Sequence, residues 1–162
     1  MWYNKHMDTH QTTDWLKPAT MAEETRLRDA GFRWGKKGTH TSRTIMLDEL
    51  QTLLAHCQPE ASPDDYATAI IENNCLGKRT VATRKLSFQR LSELYALDPQ
   101  VPLFRIMRSF WYADRSGYAL LALLIALARD PLLRMTAPPV LRTRSGEELA
   151  RQPLIDALNR AV

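Results

Sequence analysis

Residues 62–95 read SPDDYATAIIENNCLGKRTVATRKLSFQRLSELY, and the punctuation of this stretch decides the fold. Ser62 can cap a helix, Pro63 suits its first position, and Asp64 and Asp65 suit the positive end of the helix dipole, so the stretch opens with a helix start. Tyr66, Ala67, Ile70 and Ile71 supply its buried face. Gly77 marks the end of that helix, because glycine takes the left-handed conformation of a helix terminus at least cost. Thr80 then caps a second helix whose apolar stripe is Val81, Phe88, Leu91, Leu94 and Tyr95, and Asp98-Pro99 prevents it from continuing. Two helices joined by a tight turn, Leu76-Gly77-Lys78-Arg79, predict a helix-turn-helix.

The flanking segments extend the helical reading. Upstream, Met46, Leu50, Leu53 and Cys57 recur every three to four residues and predict a helix with Thr44 as N-cap, stopped by Gln58 and Pro59. Residues 1–44 are poorly periodic and form an expected arm or loop. It has a short helix over Met21 to Ala30 and a Gly-rich, acid-free stretch, GFRWGKKGTHTSR, at 31–43.

Downstream, Pro102 opens a helix through Trp111, and Ser116 is placed to cap an apolar helix over 118–129. That helix has no polar face, so it is expected at the centre of the core. Asp130-Pro131 starts a short turn, Thr136-Ala137-Pro138-Pro139 reads as a loop, and PVLRT at 139–143 is the only strand-like run. Ser145 and Glu148 have capping-box spacing for a last helix that Pro153 kinks or replaces. The expected class is all-α with little or no sheet. The expected organisation is an arm (1–44), a helix-turn-helix or winged-helix-like part (45–97), and a helical core with C-terminal helices (98–162), with one continuous domain as the alternative.

The totals narrow the function classes. A chain of 162 residues can bury a core without disulfides or a metal. Cys57 and Cys75 lack zinc-knuckle or redox-pair spacing and read as small buried apolar residues in a reducing compartment. His6, His10, His40 and His56 are scattered, so no metal site is expected, and no cofactor either. There is no Walker loop, GxGxxG or GxSxG, and Asp64-Asp65 is better explained as a helix start than as a catalytic pair, so the chain is not expected to be an enzyme. The first fifteen residues lack the apolar core of a signal peptide, and Tyr118 to Ala128 is too short to span a bilayer, which predicts a cytoplasmic protein with no membrane partner. Trp111-Tyr112, beside Phe110, is expected to pack under the apolar helix.

Charge distribution carries the functional expectation. Lys and Arg exceed Asp and Glu by 22 to 18, for a net charge of +4. Between Glu72 and Glu93 there is no acid, while Lys78, Arg79, Arg84, Lys85 and Arg90 fall inside. Phosphates are held by basic side chains and amides at the start of a recognition helix, where Lys78, Arg79 and Thr80 lie. Ala82, Lys85 and Gln89 sit opposite the apolar stripe and are expected to face the groove, where Gln can pair with adenine and Lys can reach guanine. Arg84 is expected either on a phosphate or paired with Glu72. Lys36, Lys37 and Arg43 form a possible second contact. The whole expectation is that the cations after Gly77 point outward together toward duplex DNA.

A resemblance joins this reading. SRTIMLDELQTLL (42–54), IENNCLGKRTVATRK (71–85), LSELYALDPQVPLFRIMRSFW (91–111) and LLALLIALARDPLLRMTA (120–137) resemble, in order, the BrxA family of BREX bacteriophage-exclusion systems. NCLGKRT and LARDPLLR are its most specific phrases. The resemblance implies a non-enzymatic, mainly helical component of an antiviral defence system that has winged-helix-like character, binds double-stranded DNA, and can have other BREX proteins as partners. The family also has a superficial likeness to the RNA-binding helical bundle of the antitermination factor NusB, which keeps RNA as the lesser alternative ligand. A protein-interaction scaffold inside the defence complex is the other alternative. Family members continue past the position matching Val162, which would make this chain a shortened or N-terminal form.

Overall fold

The computed structural model describes residues 18, 20–35, 38 and 45–159, and these form eight α-helices and one 3₁₀ turn with no strand among them. In chain order the helices are α1 (Met21–Asp29), α2 (Leu47–His56), α3 (Pro63–Ile71), α4 (Val81–Tyr95), α5 (Pro102–Trp111), α6 (Tyr118–Arg129), α7 (Pro131–Arg142) and α8 (Arg151–Asn159). The all-α expectation holds. No β-hairpin wing accompanies α4 among the described residues, and PVLRT, the strand-like run, is the last turn of α7 and its cap.

One core joins α2 to α6. Leu50, Leu53 and Leu54 of α2 meet Tyr66 and Ile70 of α3, Leu91, Leu94 and Tyr95 of α4, Phe104 and Met107 of α5, and Ala122 and Ala126 of α6. Tyr66 and Phe104 pack edge to face with centroids 5.7 Å apart, the favoured aromatic geometry, and so tie α3 to α5. Burial pushes the Tyr66 phenol up to about 12. The Tyr95 hydroxyl donates to the carbonyl of Ile45, anchoring the approach to α2, and burial raises its pKa as well. α2 is entered through Met46 in the left-handed region (φ 52°) with no side-chain cap; the expected cap, Thr44, lies outside the described residues.

Three arginines stitch helix ends together from within, a role their charge gave no reason to expect. Arg108 of α5 is buried and donates to the carbonyls of Leu54 (3.5 Å) and Gln58 (2.8 Å) around the end of α2. Arg129 donates to Gly31 (2.7 Å), Ser92 (3.3 Å) and Glu93 (3.0 Å), and Arg134 to Leu127 (2.8 Å), Ala128 and Arg33 (2.8 Å) while stacking 4.1 Å over Trp34. Burial draws both guanidinium pKa values down to about 10, so both stay charged at neutral pH. Apart from Ser92, whose carbonyl also accepts from the Ala96 amide, these acceptors lie where helices end, and carbonyls at helix ends are what a buried guanidinium needs. Gly31 permits this junction: its φ is 107°, and a Cβ there would lie 2.5 Å from Val101.

The C-terminal part departs from the sequence expectations in five places. α6 is not the centre of the core: Ala122, Ile125, Ala126 and Ala128 are buried, but Leu120 and Leu124 are more than half exposed. Its apolar residues run all round because it faces the core on one side and a groove on the other. Ser116 does not cap it; Ser116 lies in the 3₁₀ turn Arg115–Gly117, hydrogen-bonded to Asp114, and Gly117 occupies the cap position. Asp130-Pro131 starts a twelve-residue helix rather than a short turn, with Asp130 accepting from the amides of Leu132 and Leu133 at 3.0 Å. The expected Pro138-Pro139 loop lies inside that helix. Last, Ser145 forms no capping box: Arg144 and Glu147 close a turn, and α8 starts at Arg151 with Pro153 in its first turn. No helix among the described residues is long and apolar enough to cross a membrane.

Candidate nucleic-acid interface

The site is built on the α3–α4 pair. Ser62 and Asp65 form a reciprocal capping box: the Ser62 hydroxyl accepts from the Asp65 amide (3.3 Å), and the Asp65 carboxylate accepts from the Ser62 amide (2.8 Å). The Ser62 amide and hydroxyl bonds hold the Asp65 carboxyl below the usual carboxylate range. Asp65 is therefore a structural carboxylate, as its place after Ser-Pro predicts.

α3 stops at Ile71, earlier than Gly77 suggests, and residues 72–80 form a longer turn than the tight one expected. Asn74 (φ 51°) and Gly77 (φ 62°) both take left-handed backbone. The Asn74 side chain accepts from the Lys78 amide at 2.8 Å, replacing a helical bond, while Cys75 and Leu76 pack on the core. Asparagine tolerates this conformation better than other side-chain-bearing residues, which is why two reversals fit before Thr80. α4 then begins at Val81, with Thr80 and Thr83 exchanging amide and hydroxyl bonds of 3.1 and 3.2 Å. Thr80 is thus both the cap and an exposed residue at the helix start.

The five cations of the acid-free window divide. Lys78 reaches back to Glu49 of α2 in a 3.0 Å ion pair. Arg84 turns inward: it donates to the Ile71 carbonyl at 3.1 Å and lies 3.5 Å from that of Lys78, so it caps the negative end of α3 rather than pairing with Glu72. Arg90 is half-buried, with its Nε buried and without a hydrogen-bond partner. Arg79 and Lys85 are exposed and carry no ion pair or hydrogen bond among the described residues. The expectation that all five point outward together is corrected by Glu49, remote from the window in sequence, and by the end of α3, which directly precedes it. Lys36, Lys37 and Arg43 lie outside the described residues.

The face of α4 opposite the core is open. Ala82, Lys85 and Gln89, one helical turn apart, are all exposed as the periodicity predicts, although the Gln89 amide donates to Glu93 at 3.0 Å. Val81, assigned to the apolar stripe, is instead 53% exposed, and Leu86 also faces solvent. These two aliphatic side chains beside Lys85 are site features that sequence reasoning missed; the i, i+4 step from Ala82 to Leu86 was the signal that could have revealed one of them.

Other candidates add no chemistry. Cys57 and Cys75 are free and half-buried, with thiols pushed up by burial and so poor nucleophiles. The described residues contain no group of three potential metal ligands. Trp111 packs in the core, stacked on Tyr118 at 4.0 Å, but Phe110 and Tyr112 do not follow it inward; Tyr112 lies exposed under the Arg108 guanidinium at 4.8 Å.

Comparison with protein-family models, with characterised proteins and with solved structures finds no match to this chain.

Proposed function

We propose that this chain is a non-enzymatic duplex-DNA-binding module of a BREX-type phage-defence system, which grips the polyanion through the 72–80 turn and the first turns of α4. The observation that carries the reading is the exposed, acid-free start of α4: Arg79, Thr80, Ala82 and Lys85 lie on solvent-facing backbone at the positive end of a fifteen-residue helix. Amides and cations at a helix start are what phosphates bind, and Val81 and Leu86 add apolar surface suited to thymine methyl groups. The defence assignment rests on the quoted BrxA-like phrases. With other BREX proteins as partners, the module works in the cytoplasm. Arg79 and Lys85 carry the binding, Gln89 contributes when it releases Glu93, and Lys78 and Arg84 support the turn.

Two to three phosphate contacts give weak, salt-steep, sequence-tolerant binding, with Kd on the order of 10⁻⁴–10⁻⁶ M at physiological salt. Fluorescence anisotropy with an arbitrary duplex across a salt series tests this. In Arg79→Glu/Lys85→Glu, affinity is expected to fall at least about tenfold and the log–log salt slope to shrink by about 2. Unchanged binding in the double variant would remove the site. Preference for structured RNA over duplex would favour the RNA-binding alternative, because the A-form major groove is too narrow for a recognition helix. Loss of all nucleic-acid affinity in the wild type would favour the scaffold.

A further inference from the structure

α6 carries YALLALLIALAR, a sequence apolar on every side, and such a helix is normally buried on every side. Here only one side is covered by the other described residues. The other forms the floor of a groove of about 920 Å³ between α1, α5 and α7. Six side chains leave it bare: Ile106 and Phe110 of α5, Leu120 and Leu124 of α6, and Val140 and Leu141 of α7, each between 45% and 73% exposed. We infer that this groove is the two-fold interface of a homodimer, in which the α6 of a second copy completes the core that α6 here only half enters.

Area, charge and shape all point to a second copy. With a whole aromatic side chain offering roughly 150–250 Å² and an aliphatic one somewhat less, the six bare side chains expose on the order of 600 Å². Monomers rarely leave more than a few hundred Å² contiguous, and a standard interface takes ~800 Å² from each partner, so this face approaches one dimer half. Glu23 and Arg134 are the charged residues lining the groove, and Arg134 is committed to backbone carbonyls. A wall so poor in charge offers little to a charged partner and matches the apolar interfaces of permanent homodimers. Shape supports the same occupant: the Leu120–Leu124 and Ile106–Phe110 pairs are each one helical turn apart, on helices that pack side by side. A two-fold axis across α6 sets these rows against their own copies, ridge into groove. The inference does not depend on what α4 binds.

Sedimentation velocity on the full chain over a micromolar concentration series tests it. The wild type is expected to sediment as a dimer that dissociates on dilution. Leu120→Glu/Leu124→Glu, which alters only exposed side chains, is expected to weaken association at least about thirtyfold, as for one lost interface anchor, with the far-UV circular dichroism unchanged. If the glutamates unfold the chain, Leu120→Ser/Leu124→Ser tests the same face at lower cost to the monomer. A wild type that stays monomeric throughout would overturn the inference. So would a dimer indifferent to these substitutions, or a monomer that instead co-floats with phosphatidylcholine vesicles through the same leucines.

Discussion

Val81 to Gln89 on α4 and Leu120 to Leu124 on α6 are both helix surfaces turned away from a shared core, and their compositions are opposite. On α4 the outward residues include Thr83, Lys85 and Gln89, interrupted by Val81 and Leu86. On α6 they are alanine and leucine. Both inner faces obey the same rule, since Leu91 and Leu94 on one helix and Ala122 and Ala126 on the other are buried in one cluster. The inner face therefore reports only that a helix folds onto this core. The outer face reports what the helix meets afterwards: water and charge at α4, apolar surface at α6.

That contrast depends on a single core serving both regions, and Phe104 is where it can be broken with the largest effect. Phe104→Ala removes the ring that α5 packs on Tyr66 of α3 and is expected to cost about 3–5 kcal/mol. In urea, tryptophan fluorescence and far-UV circular dichroism should still report one transition; two separate transitions would show that the regions fold as independent units. A smaller effect separates anchoring cations from open ones. Arg84→Ala leaves the Ile71 carbonyl at the end of α3 without its donor and is expected to cost about 1–3 kcal/mol, whereas Arg79→Ala, at an exposed position, should stay within about 0.5 kcal/mol. Equal urea midpoints for the two variants would erase the distinction drawn between them.

The smallest effect is a pH dependence at the start of α3. The Asp65 carboxyl is lowered by its Ser62 bonds, so its contribution is fully present above the ordinary carboxylate pKa of about 3.9 and is lost as pH falls through the lower folded value. Asp65→Asn should flatten the urea midpoint of acid titration below about pH 4, and an unchanged acid slope would mean that other carboxylates dominate it.

How much of this was legible in the chain depended on the range of the physics. Helix starts set by neighbours in sequence, Ser62-Pro63 and Thr80, could be read directly, because cap and amide lie within four residues. The open Ala82–Lys85–Gln89 face also followed from periodicity. Lys78 could not be assigned, because its partner Glu49 sits on α2. Arg84 was misread by charge alone, since the Ile71 carbonyl it caps is an open acceptor only because α3 ends there, and the roles of Arg108, Arg129 and Arg134 could not be read at all, since they bind carbonyls of distant segments of the chain. The α6 error has another origin: a fully apolar helix specifies that both sides are covered, but not that one chain supplies both covers. Pro138-Pro139 misled for a local reason, as proline usually marks a break and here is carried within the helix by packing.

Those paired prolines have a kinetic consequence. Neither ring nitrogen carries a proton, so the ladder of α7 loses two consecutive rungs, and the Arg134 and Met135 carbonyls have no amide to accept from at those steps. Above the gap, Asp130 clamps the first turn. Below it, Val140 to Arg142 have exposed side chains and are held by the last turn of the helix itself and by the Thr143 hydroxyl donating to the Pro139 carbonyl. Deuterium uptake along α7 should therefore step rather than grade, slow before the imino pair and fast after it, and α8, which leans on α7, should exchange with the faster segment.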